Sequence, residues 1–202
     1  MKIFKKLNFI ILNLFFLFIV PIFIVYYQII PFRYHRYVLF VFTILVIILT
    51  IKEKISLKNL GIYKNNPFKY YLPYSLFTLA GVIFIYIVAE FIGREPLDWD
   101  AEYLYVLLVI PISFCQEFIY RGYLMNKLKI FFKSAGIIIL INTLLFTILH
   151  IIFKDLLVII PLAIISGAAF SWFYYKYPNL LLISISHSVL NFTAVLLYGF
   201  FK

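Results

Sequence analysis

The chain has 202 residues, 65% of them apolar and only 13% charged, with a mean hydropathy of +1.06. Those values exclude an ordinary soluble domain and put most of the protein in lipid. A net charge of +10 could suit nucleic acid, but the Lys and Arg residues sit in short loops between apolar runs. Membrane orientation accounts for them there, and no basic face is left for phosphate contacts.

In chain order, Lys2, Lys5 and Lys6 precede an apolar run from about Leu7 to Tyr27. The run is too long for a signal peptide and has no Ala-x-Ala-like cleavage site, so it reads as a retained first span. After a loop with Pro31, Arg33, His35 and Arg36, a second and rather short span follows from about Val38 to Ile51. Lys52, Lys54, Lys58, Lys64 and Lys69 mark the next stretch as cytoplasmic, against the single acid Glu53. A third span, about Tyr70 to Ile92, ends in the acidic segment Gly93 to Glu102. The fourth runs from about Tyr103 to Leu128, the fifth from Ser134 to Phe153, the sixth from Leu156 to Tyr175 and the seventh from Leu180 to Phe200.

With the amino terminus inside, Arg33, Arg36, Arg94, Lys154 and Lys202 are the basic residues that fall outside. This predicts an all-α, polytopic bundle of about seven spans with a cytoplasmic amino terminus; six spans plus a re-entrant segment is the alternative. The connections hold no second domain, so residues 1–202 form one integral membrane unit. Aromatic pairs such as Tyr26-Tyr27, Tyr70-Tyr71 and Tyr174-Tyr175 sit near span ends, where amphipathic rings favour the interface.

Few ionisable or amide residues lie inside the spans. Glu117 and Arg121 fall on the fourth, Asn142 and His150 on the fifth, His187 and Asn191 on the seventh. Charges at membrane depth are costly and face a bundle interior or a wet cavity. An acid and an imidazole that converge on one water can strip its proton, and a second imidazole with an amide can stabilise an oxyanion. Glu117, His150 and His187 could instead hold Zn²⁺, a reading the sequence does not favour. The bland readings are an intrahelical Glu117–Arg121 ion pair that shields both charges, and packing histidines. A proton carrier at Glu117 would be a third class, but the inverted repeats usual in transporters are missing.

Three motifs then stand in order. Gln116-Glu-Phe-Ile-Tyr-Arg121 is similar to EExxxR, Phe146-Thr-Ile-Leu-His150 to FxxxH, and His187-Ser-Val-Leu-Asn191 to HxxxN. Together they resemble the CPBP family of intramembrane proteases, which includes CaaX prenyl endopeptidases and bacterial Abi-type proteins, with a protease-like core over about 57–200. The resemblance implies hydrolysis of a peptide bond in a membrane-associated or lipid-anchored polypeptide, without an obligatory metal and in a prokaryotic cell membrane. The catalytic set would be Glu117, His150, His187 and Asn191, supported by Gln116, Arg121 and Phe146, with water entering from the cytoplasmic side.

One position departs from the pattern. The family's first Glu, generally its base, is Gln116 here, and an amide cannot accept a proton in the working pH range. Either Glu117 takes the role, which requires a rotation of the helix because neighbours point about 100° apart, or the chain is a catalytically inactive scaffold or immunity-type protein. His35 reads as a loop residue and Asn142 as an interhelical hydrogen-bonder. Cys115 has no basic group one turn away to make it a nucleophile. Gly122, Gly136 and the Ser166-to-Ala169 run are expected to permit close helix approach.

Overall fold

The structure, a computed structural model, describes residues 16–64, 68–94 and 103–198, with side chains in the last stretch described from 108 to 194. Every regular element in those residues is helical. The expected start of the first span, most of the acidic segment after Gly93 and the last four residues lie outside them.

The helices are α1 (Val20–Tyr26), α2 (His35–Lys52), α3 (Tyr71–Phe91), α4 (Tyr103–Glu117), α5 (Met125–Phe131), α6 (Ala135–Leu149), α7 (Leu156–Lys176) and α8 (Leu180–Tyr198). Between α4 and α5 the chain passes without a break through a π-helical segment, Phe118–Leu124, so the predicted fourth span is one continuous rod. The second span is longer than its sequence suggested. Helix begins at His35, three residues upstream, because Pro31 and a single 3₁₀ turn at Phe32–Tyr34 start it early.

Four helical stretches are long and apolar enough to cross a membrane, Phe32–Lys52, Phe68–Phe91, Ala135–Ile152 and Leu156–Lys176. Shorter apolar helices run over Phe16–Tyr26 and Leu180–Ala194. The packing is inverted relative to a soluble domain. Phe91 and Leu157 are 90% and 92% exposed, whereas Glu117, Arg121, Asn142, Ser113 and Ser171 are fully buried. An apolar exterior over a polar interior is what helices bathed in hydrocarbon require.

Helix α8 is central, packed against α3 and α4, and α6 pairs with α7. Two glycines set these distances. A Cβ on Gly167 of α7 would stand 3.0 Å from Phe146 and 3.4 Å from the Thr143 methyl on α6. One on Gly81 of α3 would meet Leu190 of α8 at 2.8 Å. The other expected sites differ: Gly122 has only ordinary contacts, and Gly136 meets nothing beyond Ser134 of its own turn.

The end of the bundle that carries the lysines is closed. The loop after α2 folds beneath the helices and buries Leu60 there. Gly61 adopts the left-handed conformation, and its carbonyl accepts from the Leu180 amide at 2.9 Å. The Tyr74 hydroxyl donates to the Tyr177 carbonyl at 2.8 Å. Glu53 accepts from the Tyr123 hydroxyl at 3.3 Å and pairs with Lys127 at 2.7 Å.

Candidate active site

The site begins at the π-helical segment. Widening the helix by one residue per turn frees backbone groups that must find partners at membrane depth. The Tyr120 carbonyl accepts from the Met125 amide and also from Asn142 of α6, whose Nδ2 donates to it at 2.7 Å while its own Oδ1 accepts from Ser171 of α7 at 2.9 Å. Asn142 is thus the interhelical bonder its position suggested, and it ties three helices together.

Glu117 and Arg121 form the expected pair. Arg121 Nη1 lies 3.2 Å from Glu117 Oε1, both side chains fully buried. Arg121 also donates from Nη2 to the Gly167 carbonyl at 3.3 Å, and its guanidinium sits 4.4 Å from the centre of the Phe146 ring. The same Glu117 oxygen lies 2.7 Å from His187 Nδ1 across the α4–α8 contact. One carboxylate oxygen therefore serves a guanidinium and an imidazole from two helices, which limits how far any of the three can move.

A cavity of about 220 Å³ lies in front of this cluster, far above the roughly 10–15 Å³ that one water needs. Its polar lining comprises Gln116, His150, Ser166, His187 and Asn191, with His35 and Arg36 from the start of α2. Glu117 is absent from the lining. The helix has not rotated: Gln116 faces the cavity, and Glu117 stands behind its wall, in contact with it only through His187. The expectation that an acid and two imidazoles share one chamber is met by the two imidazoles, with an amide in the acid's place.

His150 and His187 converge because Phe146 stands between them, its ring centre 4.7 Å from that of His150 and 5.9 Å from that of His187. His150 ends α6 and turns into a 3₁₀ segment, which brings it inward although it is close to the Lys154–Asp155 loop. Its Nδ1 lies 2.9 Å from the Phe146 carbonyl. A carbonyl only accepts, so Nδ1 carries the hydrogen and Nε2 of the neutral ring is a bare acceptor. Asn191 donates from Nδ2 to Ser113 Oγ at 3.1 Å, which fixes its amide. Gln116 Oε1 is buried without a hydrogen-bond partner, an acceptor suited to a water or a peptide N–H.

Ser113 and Arg36 were not singled out by the sequence, and His35, expected in a loop, instead opens α2 and lines the cavity because the turn at Phe32–Tyr34 starts the helix early. A serine three residues before the motif is indistinguishable from a neutral helix residue. The only signal for the His-Arg pair was its place at the head of an apolar run. Cys115 is buried beside the motif. Among the described residues no group of three or more His, Cys, Asp or Glu is arranged to hold a metal ion.

The fold and its interior define a membrane-type helical bundle with an enclosed polar site of two histidines and two amides. Residues 98–193 match the family model for Type II CAAX prenyl endopeptidase Rce1-like proteins. That stretch spans Gln116–Arg121, Phe146–His150 and His187–Asn191, and the match together with the apolar helices fits an integral membrane protein. No curated protein and no solved structure matches the chain.

Proposed function

We propose that the chain is an intramembrane endopeptidase of about seven spans, a single unit with its amino terminus in the cytoplasm of a prokaryotic cell, and that it hydrolyses a peptide bond in a membrane-associated or lipid-anchored polypeptide. The observation that carries this reading is the buried contact of 2.7 Å between Glu117 Oε1 and His187 Nδ1. A carboxylate that accepts from Nδ1–H fixes the imidazole's tautomer and orientation and stabilises the cation it forms, which leaves Nε2 as the base. Glu117 then acts through His187 and is a positioning residue, and Gln116 need not accept a proton.

In this scheme a water whose oxygen accepts from a Gln116 N–H gives one proton to His187 Nε2 as that oxygen adds to the scissile carbonyl carbon. Its other hydrogen is hydrogen-bonded to His150 Nε2 and stays on the oxygen that becomes part of the new carboxyl group. The tetrahedral oxyanion takes hydrogen bonds from the N–H groups of Asn191 and Gln116. The imidazolium of His187 then protonates the amine as the C–N bond breaks, which restores the starting state.

A second reading rests on the same Gln116. An amide at the cavity-facing position where the family has its acid supports a fold kept for binding alone. Purified protein in liposomes, supplied with quenched lipid-anchored peptides, separates the two. The proteolytic reading expects cleavage that Glu117→Gln lowers by about 10²–10⁴, the usual worth of general acid–base catalysis. The binding reading expects no cleavage by the native chain and cleavage only by Gln116→Glu. Failure of both proteins to cleave would end the proteolytic reading.

A further inference from the structure

The cavity is placed off-centre along the bundle. On α3 its lining runs from Phe77 to Ile85, across the middle of the helix; on α8 it begins at His187 and ends at Ala194, mostly in the half away from Asn179. On α7 it stops at Phe170, well before Lys176, and on α2 it uses His35, Arg36 and Leu39, the first residues of the helix. Taken together the lining is shifted from the middle of the bundle toward the pole reached by the Phe32–Tyr34 turn and the Lys154–Asp155 loop. The opposite pole holds Lys52, Lys54, Lys58, Lys64, Lys69, Lys127, Lys129, Lys133 and Lys176. It is sealed by Leu60, Gly61, Tyr74 and the Glu53–Lys127 pair described above.

Charge asymmetry sets orientation, and the lysine-rich pole belongs in the cytoplasm. A chamber closed at that pole can be reached only laterally or from the other end. The polar groups nearest that end, His35 and Arg36, mark it as the wetter approach, since a guanidinium lining a lipid-filled slot would be costly.

We propose that the site is entered from the extracytoplasmic face, so that its substrate is a peptide segment already translocated or lying on the outer leaflet, not a cytoplasmic tail. This rests on the reading of the cavity as the substrate site and departs from the cytoplasmic water entry expected from the motifs.

Cys115 is the only cysteine, so labelling is clean after a Cys115→Ser change. In that background Ser166→Cys reports on the cavity wall and Lys129→Cys on the sealed pole. A small membrane-impermeant thiosulfonate is applied to intact bacteria expressing each variant. The proposal expects Ser166→Cys to react in intact cells and Lys129→Cys only after permeabilisation. Reaction of Ser166→Cys solely from the cytoplasmic side, its silence from both sides in protein that elutes as folded, or reaction of Lys129→Cys in intact cells would each overturn it. Labelling needs no catalysis, so a chain that labels as expected yet never cleaves would sink the proteolytic reading and leave the entry route standing.

Discussion

Two regions a few ångströms apart, the cluster behind the cavity wall and the wall itself, are built on opposite terms. Behind the wall, Glu117, Arg121, Asn142 and Ser171 are fully buried, and their bonds run between α4, α6, α7 and the π-helical turn. On the wall, His187 and Asn191 each make one bond across to α4, but Gln116 faces the cavity with an unpartnered acceptor and His150 bonds only to its own helix; the unpartnered Glu117 Oε2 and Arg121 Nε lie behind, out of the cavity's reach. Groups bonded across helices hold the bundle together, whereas groups with spare bonding capacity are available to a ligand. The difference teaches that the more strongly charged residues of this site serve architecture and positioning, and the weaker polar ones meet the substrate.

Substitutions can break that division, and the largest effect should come from Arg121→Leu. It leaves Glu117 buried beside His187 without its cation, and removing one partner of a buried pair costs about 3–5 kcal/mol. Thermal unfolding in detergent should show a large loss, and a small one would mean that the pair is not structural. Asn142→Leu removes one of the two donors to the Tyr120 carbonyl and leaves the buried Ser171 hydroxyl without its acceptor, and should cost about 1–3 kcal/mol by the same measurement. Gly167→Ala pushes a methyl against Phe146 and Thr143, an overpacking expected to cost about 1–3 kcal/mol, toward the lower end because the contact is with side chains. At the other extreme, Asn191→Ala on the wall loses one cross-helix bond, to Ser113, and should cost about 0.5–1.5 kcal/mol, less than Asn142→Leu, while it lowers kcat in the liposome assay. Equal losses of stability at 191 and 142 would erase the distinction between the regions.

Much of the architecture was legible in the sequence. Apolar runs of about twenty residues, bounded by Lys, Pro and Gly, place α3 and α7 to within about one residue and α6 to within about four, because hydrocarbon dictates both length and composition. The motif residues were legible as a set, since ionisable groups stand out in such runs. Their orientation was not. Gln116 and Glu117 point about 100° apart on one helix, and which one faces the cavity depends on where α8 and His187 pack against α4. His35 was missed for a similar reason: it stands 115 residues before His150 in sequence, and only the fold brings both to one lining. The π-helical turn also has no sequence signal here; it becomes visible once Asn142 is seen bonded to the Tyr120 carbonyl.

The Phe146 ring, with the Arg121 guanidinium on one side and the two imidazoles on the other, has an electrical consequence. It is an insulating pane between a fixed positive charge and the chamber. The Glu117 carboxylate 3.2 Å away cancels most of that charge at a distance, and what reaches the chamber is the residual pull of a dry ion pair that water on the chamber side cannot quench through the ring. Replacement of the pane by a small side chain would flood the guanidinium and weaken that pull at a distance, even with every polar residue of the wall still in place.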